Sequence, residues 1–458
     1  MQELVTIVLA AGAGTRMKSM VAKVAHKICG QPILSYVIDA AAQTGSNTLV
    51  LVLGHQADEV RNLAPSDAIC VIQEQQLGTG HAVMQARSIL SQKSGTALIL
   101  CGDTPLITGD TLKAAYEYHQ KQNNQVTILT AAVDNPHGYG RIIRNANGQV
   151  EAIVEHKDAD ENQRAIKEIN SGMYFFNIES LLWALSQLDN SNNQGEYYLT
   201  DTIEKIISRG EKAGAFIVED STEIMGVNDR SQLNDAEQVI LKRIIKEHML
   251  NGVTFRLPET TMIHKGVRIG KDTIIHPGTQ LTGQTVIGEH CEIGPHSSIE
   301  DGVVGDYVQF AHSVMVQSRI DDHTKVGPFA YIRPGSSIGQ NVKIGDFVEI
   351  KNSTIGDNTK VPHLSYVGDA DIGKGVNIGC GAVVVNYDGR KKHRTVVGDH
   401  AFVGCNVNLV SPVEVKGNAY IAAGSTITEE VPEFALGIAR SRQVVIADWV
   451  KKKGLDKK

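Results

Sequence analysis

The chain has 458 residues and a formal net charge of −7 at pH 7. This length exceeds what one compact core usually organises, so two or three domains are expected. A hydrophobic content of 42% and a charged content of 21% are ordinary for a globular protein. The negative net charge gives no general affinity for nucleic acid or for an anionic membrane, so any phosphate-binding site must be a local arrangement.

The cysteines and the N-terminal segment predict a cytoplasmic protein. Six cysteines are scattered without the CxxC spacing of a zinc or redox site, so reduced thiols are expected. Glu3 lies early in the N-terminal segment and no basic flank precedes the apolar residues, so this segment is not a signal peptide. No apolar run reaches membrane-spanning length.

Apolar runs alternate with helical patterns over the first part of the chain. Strands are predicted at residues 3–10, 48–54, 68–73 and 97–103, and helices at about 33–43, 57–63 and 80–90. This alternation predicts a Rossmann-like parallel sheet with helices on both faces. Ligands of such sheets bind at the carboxyl ends of the strands, where Ala11–Arg16 and Asp103 lie.

The middle of the chain is mixed. Strands and hairpins are predicted from about 126 to 177, with helices near 179–187 and 200–208. Residues 229–251 carry one long helical pattern that Gly252 ends. We expect this helix to link the N-terminal domain to the rest of the chain.

From Ile263 to Ile427, apolar residues recur with a six-residue period, and the register jumps at Val304 and again at Ile320. The period fits neither an α-helix nor one long strand, but it fits a parallel β-helix of short strands joined by tight corners. Three hexapeptides in each turn would give about nine coils. A long sandwich with regular strands is the alternative. The predicted inward residues before the first irregular turns are Ile263, Ile269, Ile275, Leu281, Ile287, Ile293, Ile299, Val304, Phe310, Val316, Ile320, Val326, Ile332, Ile338, Ile344 and Ile350.

The six-residue register is expected to fail between Ile350 and Val397 and to end at Ile427. The segment NYDGRKKHR (386–394) interrupts the period, and a loop inserted into a solenoid usually lies on its binding face. The basic tail from Lys451 is expected to be a solvated, frayed terminus.

The segment LAAGAGTRM (9–17) is neither a dinucleotide fingerprint nor a Walker loop. Its small residues let backbone N–H groups approach a base or a phosphate, and Arg16 and Lys23 add positive charge. A bare tight turn explains the loop alone equally well.

Together with Lys23, QLGTGHA (76–82) and CGDTPLI (101–107), this loop resembles the nucleotidyltransferases that join a sugar 1-phosphate to a nucleoside triphosphate. The resemblance implies that Asp103 and Asn228 hold Mg²⁺, and oxygen ligands of this kind suit Mg²⁺. Taken alone, Asp103 is better explained as a helix N-cap.

The resemblance also assigns the substrate contacts of this domain. Arg16, Lys23 and Mg²⁺ would stabilise the charge on the phosphates while the sugar phosphate attacks UTP, and the protein needs no nucleophile. The residues implied for the uridine nucleotide and its phosphates are Leu9, Ala10, Ala11, Gly12, Lys23, Gln73, Gly78, Thr79, Cys101, Gly102 and Asp103. Those implied for the sugar and the metal are Gly140, Glu155, Asn170 and Asn228.

Over nearly its whole length the chain resembles the bacterial bifunctional N-acetylglucosamine-1-phosphate uridyltransferases and glucosamine-1-phosphate acetyltransferases. The resemblance implies a nucleotidyltransferase domain (1–228), a linker helix (229–251) and a left-handed β-helix acetyltransferase domain with a C-terminal tail (252–458). It also implies a homotrimer whose acetyl-transfer sites form between subunits.

In the second domain the resemblance assigns His363 as the general base that removes a proton from the attacking amine, a task for which imidazole is suited. The alternative for His363 is a histidine packed in a turn. The alternative for Arg440, which the resemblance assigns to acetyl-CoA, is an ordinary solvated arginine. Arg333 and Lys351 would grip the sugar phosphate, and Tyr366 and Asn377 the sugar. The residues implied for acetyl-CoA are Cys380, Asn386, Tyr387, Cys405, Ala423 and Arg440.

The chain departs from the usual family pattern at several positions. Ala22 stands where Pro is common, and Val361 and Pro362 stand where Ala and Gly are usual. Cys380 replaces Ala and Cys405 replaces Ser. At these two positions the acetyl-CoA contacts would differ from the usual pattern, and small buried side chains are the simpler explanation of both thiols.

The function implied is the two-step synthesis of UDP-N-acetylglucosamine. Acetyl-CoA would acetylate glucosamine 1-phosphate, and UTP would then uridylate N-acetylglucosamine 1-phosphate. One alternative is a single nucleotidyltransferase whose β-helix only builds an oligomer or carries regulation, because a β-helix also occurs in structural roles. A second alternative is a scaffold without enzymatic activity.

Overall fold

A computed structural model of the protein describes residues 3–456. The chain divides into two compact units, and the boundary lies between Lys242 and Arg243, inside a long helix. The domain limits predicted from the sequence stay a prediction.

The first unit is built on a mixed sheet with the order β11-β7-β10-β6-β1-β4-β5, to which β8 and β9 add a hairpin beside β10. The strands β1, β4, β5 and β6 are parallel, as predicted, and β10 is antiparallel to both of its neighbours β6 and β7. A small pair, β2 and β3, stands apart. The strands are β1 Glu3–Ala10, β2 Lys27–Ile28, β3 Gln31–Pro32, β4 Thr48–Leu53, β5 Ile69–Ile72, β6 Gly95–Cys101, β7 Val126–Ala132, β8 Arg141–Arg144, β9 Val150–Val154, β10 Glu168–Asn177 and β11 Ala213–Ile217.

Two apolar clusters cover the two faces of this sheet. Alternate residues of β1 enter opposite clusters, Leu4 and Val8 on one side and Val5 and Ile7 on the other, because successive strand side chains point to opposite faces. The helices are α1 Ile33–Ala42, α2 Ala57–Arg61, α3 Thr79–Met84, α4 Arg87–Leu90, α5 Gly109–Gln122, α6 Glu161–Arg164, α7 Ile178–Leu185, α8 Asp201–Ser208 and α9 Arg230–Leu250.

Three details of this unit differ from the sequence prediction. The helix predicted at 80–90 is two helices, α3 and α4, because Ala86 leaves helical geometry at φ −87° and ψ 2°. Helix α5 was not predicted, since its mean apolar character is low and its first turn depends on a cap: the Thr108 hydroxyl accepts from Thr111 N at 3.2 Å. The edge strand β11 was also not predicted.

The second unit is a parallel β-helix, as predicted, and not a sandwich. Its short strands form three parallel sheets of 11, 10 and 9 strands along the part of the chain that the structure describes. The first sheet contains Thr254–Phe255, Ile274–Ile275, Glu292–Ile293, Gln309–Phe310, Lys325–Val326, Lys343–Asp346, Lys360–His363, Asn377–Ile378, Phe402–Val403, Tyr420–Ile421 and Leu436–Gly437.

The other two sheets follow the same stacking. The second contains Met262–Ile263, Gln280–Thr282, Ser298–Glu300, Val314–Val316, Tyr331–Ile332, Glu349–Lys351, Tyr366–Gly368, Val383–Val385, Asn408–Val410 and Thr426–Ile427. The third contains Arg268–Ile269, Val286–Ile287, Val303–Val304, Arg319–Ile320, Ser337–Ile338, Thr354–Ile355, Ala370–Ile372, Thr395–Val397 and Val413–Val415.

The predicted inward register is right except at one residue. Met315, and not Val316, is fully buried and stands in line with Ile299 and Ile332. The register breaks after Ile350, as predicted, but only two of the steps before the inserted loop shorten by one residue, and buried aliphatic residues continue through the interval. These residues are Ile355, Val361, Val367, Ile372, Ile378 and Val384.

The interruption at 386–394 is an inserted loop, as predicted, between the strands Val383–Val385 and Thr395–Val397. The predicted end of the coil at Ile427 is wrong, because Leu436–Gly437 still pairs with Tyr420–Ile421. A short exposed helix, α10 Trp449–Lys452, lies in the basic tail. Among residues 3–456, no helix has both the length and the apolar character needed to cross a membrane.

Candidate active sites

The carboxyl ends of β1 and β6 form the first polar centre, as predicted for a parallel sheet. These neighbouring strands end at Ala10 and Cys101, and Gly102 N donates to Leu9 O at 2.9 Å. A cavity of about 290 Å³ opens beside them. Its lining includes the predicted residues Leu9, Ala10, Ala11, Gly12, Lys23, Gln73, Gly78, Thr79, Cys101 and Asp103. Glu196, which the sequence analysis did not single out, also lines it.

Two cations and two oxygen ligands meet at one side of this cavity. The Lys23 ammonium contacts Asp103 Oδ2 and donates to Asn228 Oδ1 at 3.2 Å. Arg16 Nη2 donates to the same Asn228 oxygen at 2.9 Å. Val227 N donates to Asp103 O at 2.8 Å, which brings the distant 226–228 segment to the end of β6. The interpretation of Asp103 as a helix cap is wrong, because Thr108 caps the helix that follows.

The donor set of this centre fits a divalent metal ion. Asp103 and Asn228 present hard oxygen atoms to the same positive group, the Lys23 ammonium, so a cation can contact both. Two protein ligands are enough where substrate phosphates complete the coordination shell, as is usual for Mg²⁺. When bound, such an ion neutralises phosphate charge and helps to align the phosphate groups.

The far wall of the cavity depends on Gln73 and Gly78. Gln73 is buried, and its Nε2 donates to Gly78 O at 3.1 Å. Gly78 has φ +104°, and a Cβ there would lie 2.6 Å from Tyr197 O. A larger residue is therefore excluded at this position by both backbone conformation and space. Thr79 Oγ1 accepts from Leu199 N at 3.1 Å and ties α3 to the segment before α8.

Three residues predicted to bind the sugar lie together where β8, β9 and β10 meet. Asn170 N donates to Gly140 O at 2.9 Å, and a Cβ on Gly140 would lie 3.6 Å from Glu155 Oε2. Burial raises the pKa of Glu155, a hydrogen bond from Thr200 opposes this shift, and nearby carboxylates add to it. Burial also raises the pKa of Cys101 to about 12, so this thiol is not a nucleophile at neutral pH.

The second polar centre, on the β-helix, surrounds Asp369. This carboxylate accepts from Asn352 Nδ2 at 2.6 Å, Asn386 Nδ2 at 2.5 Å and Lys351 Nζ at 3.4 Å. Burial opposes ionisation of Asp369, but these hydrogen bonds and the Lys351 charge hold its pKa below the usual range. Asn386 Nδ2 also lies 3.3 Å from Tyr366 Oη. Three predicted residues, Lys351, Tyr366 and Asn386, thus meet at a carboxylate that the sequence analysis did not single out.

Three cations cluster beside this carboxylate. Arg333 Nη1 donates to Glu349 Oε1 at 2.7 Å. The Lys351 ammonium lowers the pKa of Lys392 through close contact, and the Arg333 charge acts in the same direction. Glu349 and Asp369 pair with two of these cations, and Lys392 adds a further positive charge that an anion can contact. Lys392 was not singled out, although the basic run in the inserted loop was a signal for it.

His363 lies at the end of the strand Lys360–His363 and is half exposed, with Nδ1 at 2.5 Å from Asp346 Oδ1. The next coils place Cys380, Cys405 and Ala423 at successive levels: Asn406 N donates to Cys380 O and Gly424 N to Cys405 O, both at 2.8 Å.

The remaining predicted residues occupy the surroundings. Asn377 begins the strand that pairs with Lys360–His363, and Tyr387 in the inserted loop donates to Gly389 O at 2.7 Å. Arg440 lies beside Gly424, with a side-chain carbon 4.0 Å from a Cβ built there. All six cysteines are free thiols.

Comparison with known proteins gives matches along both units. Residues 5–243 match the nucleotidyl transferase family. Residues 266–301 match the bacterial transferase hexapeptide family (six repeats), and residues 317–433 match the GMPPB C-terminal domain. The bifunctional protein GlmU of Acetivibrio thermocellus is 58% identical over 455 residues, which cover 99% of this chain and 99% of that protein. The chain belongs to the GlmU family.

Other GlmU proteins are similar along the same length. The protein of Caldanaerobacter subterraneus is 54% identical over 453 residues, covering 99% of both chains. The protein of Brevibacillus brevis is 52% identical over 452 residues, covering 99% of this chain and 98% of that protein. The predicted fold class, a Rossmann-like nucleotidyltransferase domain before a left-handed β-helix of hexapeptide repeats, is confirmed. The predicted enzyme class, a bifunctional transferase, is confirmed as well.

Proposed function

We propose that this GlmU protein makes UDP-N-acetylglucosamine in two steps at the two polar centres. Acetyl-CoA acetylates glucosamine 1-phosphate at the β-helix centre, and UTP then uridylates N-acetylglucosamine 1-phosphate at the cavity of the first unit. The observation that carries the proposal is that each unit contains cations that can bind phosphate, together with residues suited to one of the two reactions. In the first unit, Lys23 contacts Asp103 and Arg16 donates to Asn228. On the β-helix, Lys351 acts on the pKa of Lys392, and His363 contacts Asp346.

In uridyl transfer, an oxygen of the sugar phosphate attacks the α-phosphorus of UTP, and pyrophosphate leaves. Lys23 and Arg16 neutralise charge on the phosphates and hold them in line for the displacement. The protein supplies no nucleophile in this mechanism. Asp103 and Asn228 would hold the divalent ion, for which we propose Mg²⁺.

In acetyl transfer, the amine of glucosamine 1-phosphate must lose a proton before it attacks the thioester carbonyl. His363 accepts that proton, and the coenzyme A thiolate leaves. Arg333, Lys351 and Lys392 share the sugar phosphate, a role supported by the effect of the Lys351 and Arg333 charges on the pKa of Lys392. Asn377 and Tyr366 bind the sugar, and the levels of Cys380, Cys405 and Ala423 receive acetyl-CoA with Asn386, Tyr387 and Arg440.

Reciprocal variants test the proposal, with both half-reactions measured on each. Asp103→Ala lowers uridyl transfer by about 10²-fold or more and leaves acetyl transfer unchanged, because phosphate positioning is lost at one centre only. His363→Ala lowers acetyl transfer by about 10²-fold or more and leaves uridyl transfer unchanged. Asp110→Ala and His276→Ala, exposed or partly exposed positions of the same two units, serve as matched controls. Full acetyl transfer in His363→Ala contradicts the proposal.

Metal removal gives an independent test. A chelator stops pyrophosphate release and leaves acetyl transfer unchanged, since the oxygen ligands belong to the first centre alone. Restoration by Mg²⁺ supports the proposed metal, and restoration only by another divalent ion contradicts it.

We further propose that the protein is a cytoplasmic homotrimer. Exposed apolar side chains support self-association, with Phe434 at 76% exposure just before the last strand of the coil and Val444 at 82% after it. Free cysteines support a reducing compartment. Sedimentation should give about three times the chain mass of 49.5 kDa. A monomeric mass at assay concentration contradicts the trimer.

A further inference from the structure

A carboxylate lies directly opposite His363 on the preceding coil. The strands Lys343–Asp346 and Lys360–His363 are parallel neighbours, and Asp346 and His363 are register partners separated by 17 residues. Asp346 Oδ1 lies 2.5 Å from His363 Nδ1, and Leu364 N donates to Asp346 O at 3.0 Å. The same residue therefore contacts the imidazole by its side chain and the following backbone by its carbonyl.

The backbone around this pair allows an unusually close approach. A Cβ on Gly345 would lie 1.8 Å from Pro362 O, so only glycine fits between the two strands at this level. Pro362 fixes its own φ immediately before His363. The backbones of the two strands, and not only the side-chain rotamers, therefore set the distance between Asp346 and His363.

The hydrogen bond determines which ring nitrogen is free. An ionised carboxylate only accepts, so Nδ1 must carry the proton that lies between the two groups. The hydrogen bond from His363 and, to a smaller extent, a backbone hydrogen bond hold the pKa of Asp346 below its usual range. The carboxylate is therefore an acceptor at neutral pH. In the neutral imidazole Nε2 then carries the lone pair.

We propose that Asp346 is a positioning residue for acetyl transfer, which holds the His363 ring and selects the tautomer whose Nε2 is the base. This inference rests on the proposed acetyltransferase function. As the amine nitrogen bonds to the acetyl carbon, its proton moves to Nε2, and the Nδ1–H bond to Asp346 stabilises the resulting imidazolium. The C–S bond breaks, and the coenzyme A thiolate takes the proton from Nε2.

The kinetic test uses the full chain with Asp346→Ala, Asp346→Asn and Asp272→Asn. In Asp346→Ala, kcat for acetyl transfer falls about 10- to 100-fold while KM for both substrates stays within about twofold, because the ring is mispositioned but the binding groups remain. Asp346→Asn retains more activity, since its Oδ1 accepts the same proton without the negative charge. Asp272 lies 4.0 Å from His290 on an earlier coil, and Asp272→Asn leaves both activities unchanged.

A spectroscopic readout separates positioning from a structural role. In ¹⁵N-histidine-labelled protein, wild-type His363 shows the Nδ1–H tautomer, whereas Asp346→Ala shows a mixture. Thermal unfolding and uridyl transfer of the same preparations report on folding, and Asp346→Asn keeps the shape of the side chain. Unchanged kcat in both Asp346 variants, a rise in KM alone, or an unchanged tautomer each overturns the inference. If His363→Ala also keeps acetyl transfer, the proposed function itself has failed.

Discussion

At the scale of single residues, Asp201 is a carboxylate whose ionisation opposes folding. It is the first residue of α8, and the preceding residue, Thr200, donates a hydrogen bond to Glu155. Burial raises the pKa of Asp201 from 3.8 to about 6, and the charges of Asp189 and Glu204 add to this shift. The folded state therefore binds the proton more tightly than the unfolded state, and the stability linked to Asp201 is lost as the pH rises from about 4 through about 6.

Asp201→Asn is expected to remove this loss. At about pH 7.5 the variant unfolds at a higher temperature than the wild type, by a few degrees, which corresponds to a free energy on the order of 1 kcal/mol after discounting for partial exposure. At about pH 4.5 the difference should be much smaller, because Asp201 of the folded wild type is then mostly neutral. Thermal unfolding at the two pH values measures it.

Asp67→Asn provides the control, because Asp67 is exposed on the same unit and should give no pH-dependent difference. An advantage of Asp201→Asn that is equal at both pH values would contradict the assignment of the raised pKa to Asp201.

At the scale of elements, the proposed acetyl-transfer centre depends on how closely two strands approach each other. Gly345→Ala would place a methyl group 1.8 Å from Pro362 O, so the strands Lys343–Asp346 and Lys360–His363 must separate. Overpacking of this kind costs about 1–3 kcal/mol. We expect acetyl transfer to fall by about tenfold or more, because a small displacement of reacting groups is costly, and uridyl transfer to be unchanged.

Gly417→Ala is a matched control on the same coil structure, since its nearest backbone contact would be Asp399 O at 3.3 Å. This variant should keep acetyl transfer within about twofold of the wild type. Both half-reactions and the unfolding temperature are to be measured on each variant. Equal losses in the two glycine variants would show that the approach at Gly345 has no special role.

At the scale of the whole molecule, we expect the first unit to fold and act as a separate fragment, provided that the fragment includes α9. Within that unit, Cys29 N donates to Glu237 Oε1 at 2.9 Å and Arg230 Nη1 lies 3.2 Å from His26 Nδ1, so the start of α9 is tied to the domain. A fragment of residues 1–251 contains Asp103 and Asn228 with this helix. It should keep uridyl transfer within a few-fold of the full chain and have no acetyl transfer.

The matched fragment, residues 1–228, lacks α9 and should unfold at a lower temperature, because the Cys29 and His26 contacts are lost. Activity assays and thermal unfolding of the two fragments test this. If residues 1–228 are as stable and active as residues 1–251, the helix is only a linker.

The sequence alone determined the two architectures and the family. Strands that alternate with helices must bury apolar faces on both sides of a sheet, so the order of the first unit could be predicted. An aliphatic residue at every sixth position can be buried repeatedly only in a coil, so the β-helix could be predicted as well. The loops after β1 and β6 could be predicted to lie at one site, and they line the same cavity, because parallel strands present their carboxyl ends at one edge.

Only the tertiary structure decided which residues face each other from coil to coil. Met315, and not the predicted Val316, lies inside the coil, because the strand register stacks it between Ile299 and Ile332. Both residues are apolar, so apolar character alone does not distinguish them. Asp346 meets His363 across 17 residues, whereas Lys374 N meets Asp399 Oδ1 across 25 because of the inserted loop. One-residue slips and insertions change these offsets without changing the burial pattern, so the sequence could predict His363 but not the carboxylate that contacts it.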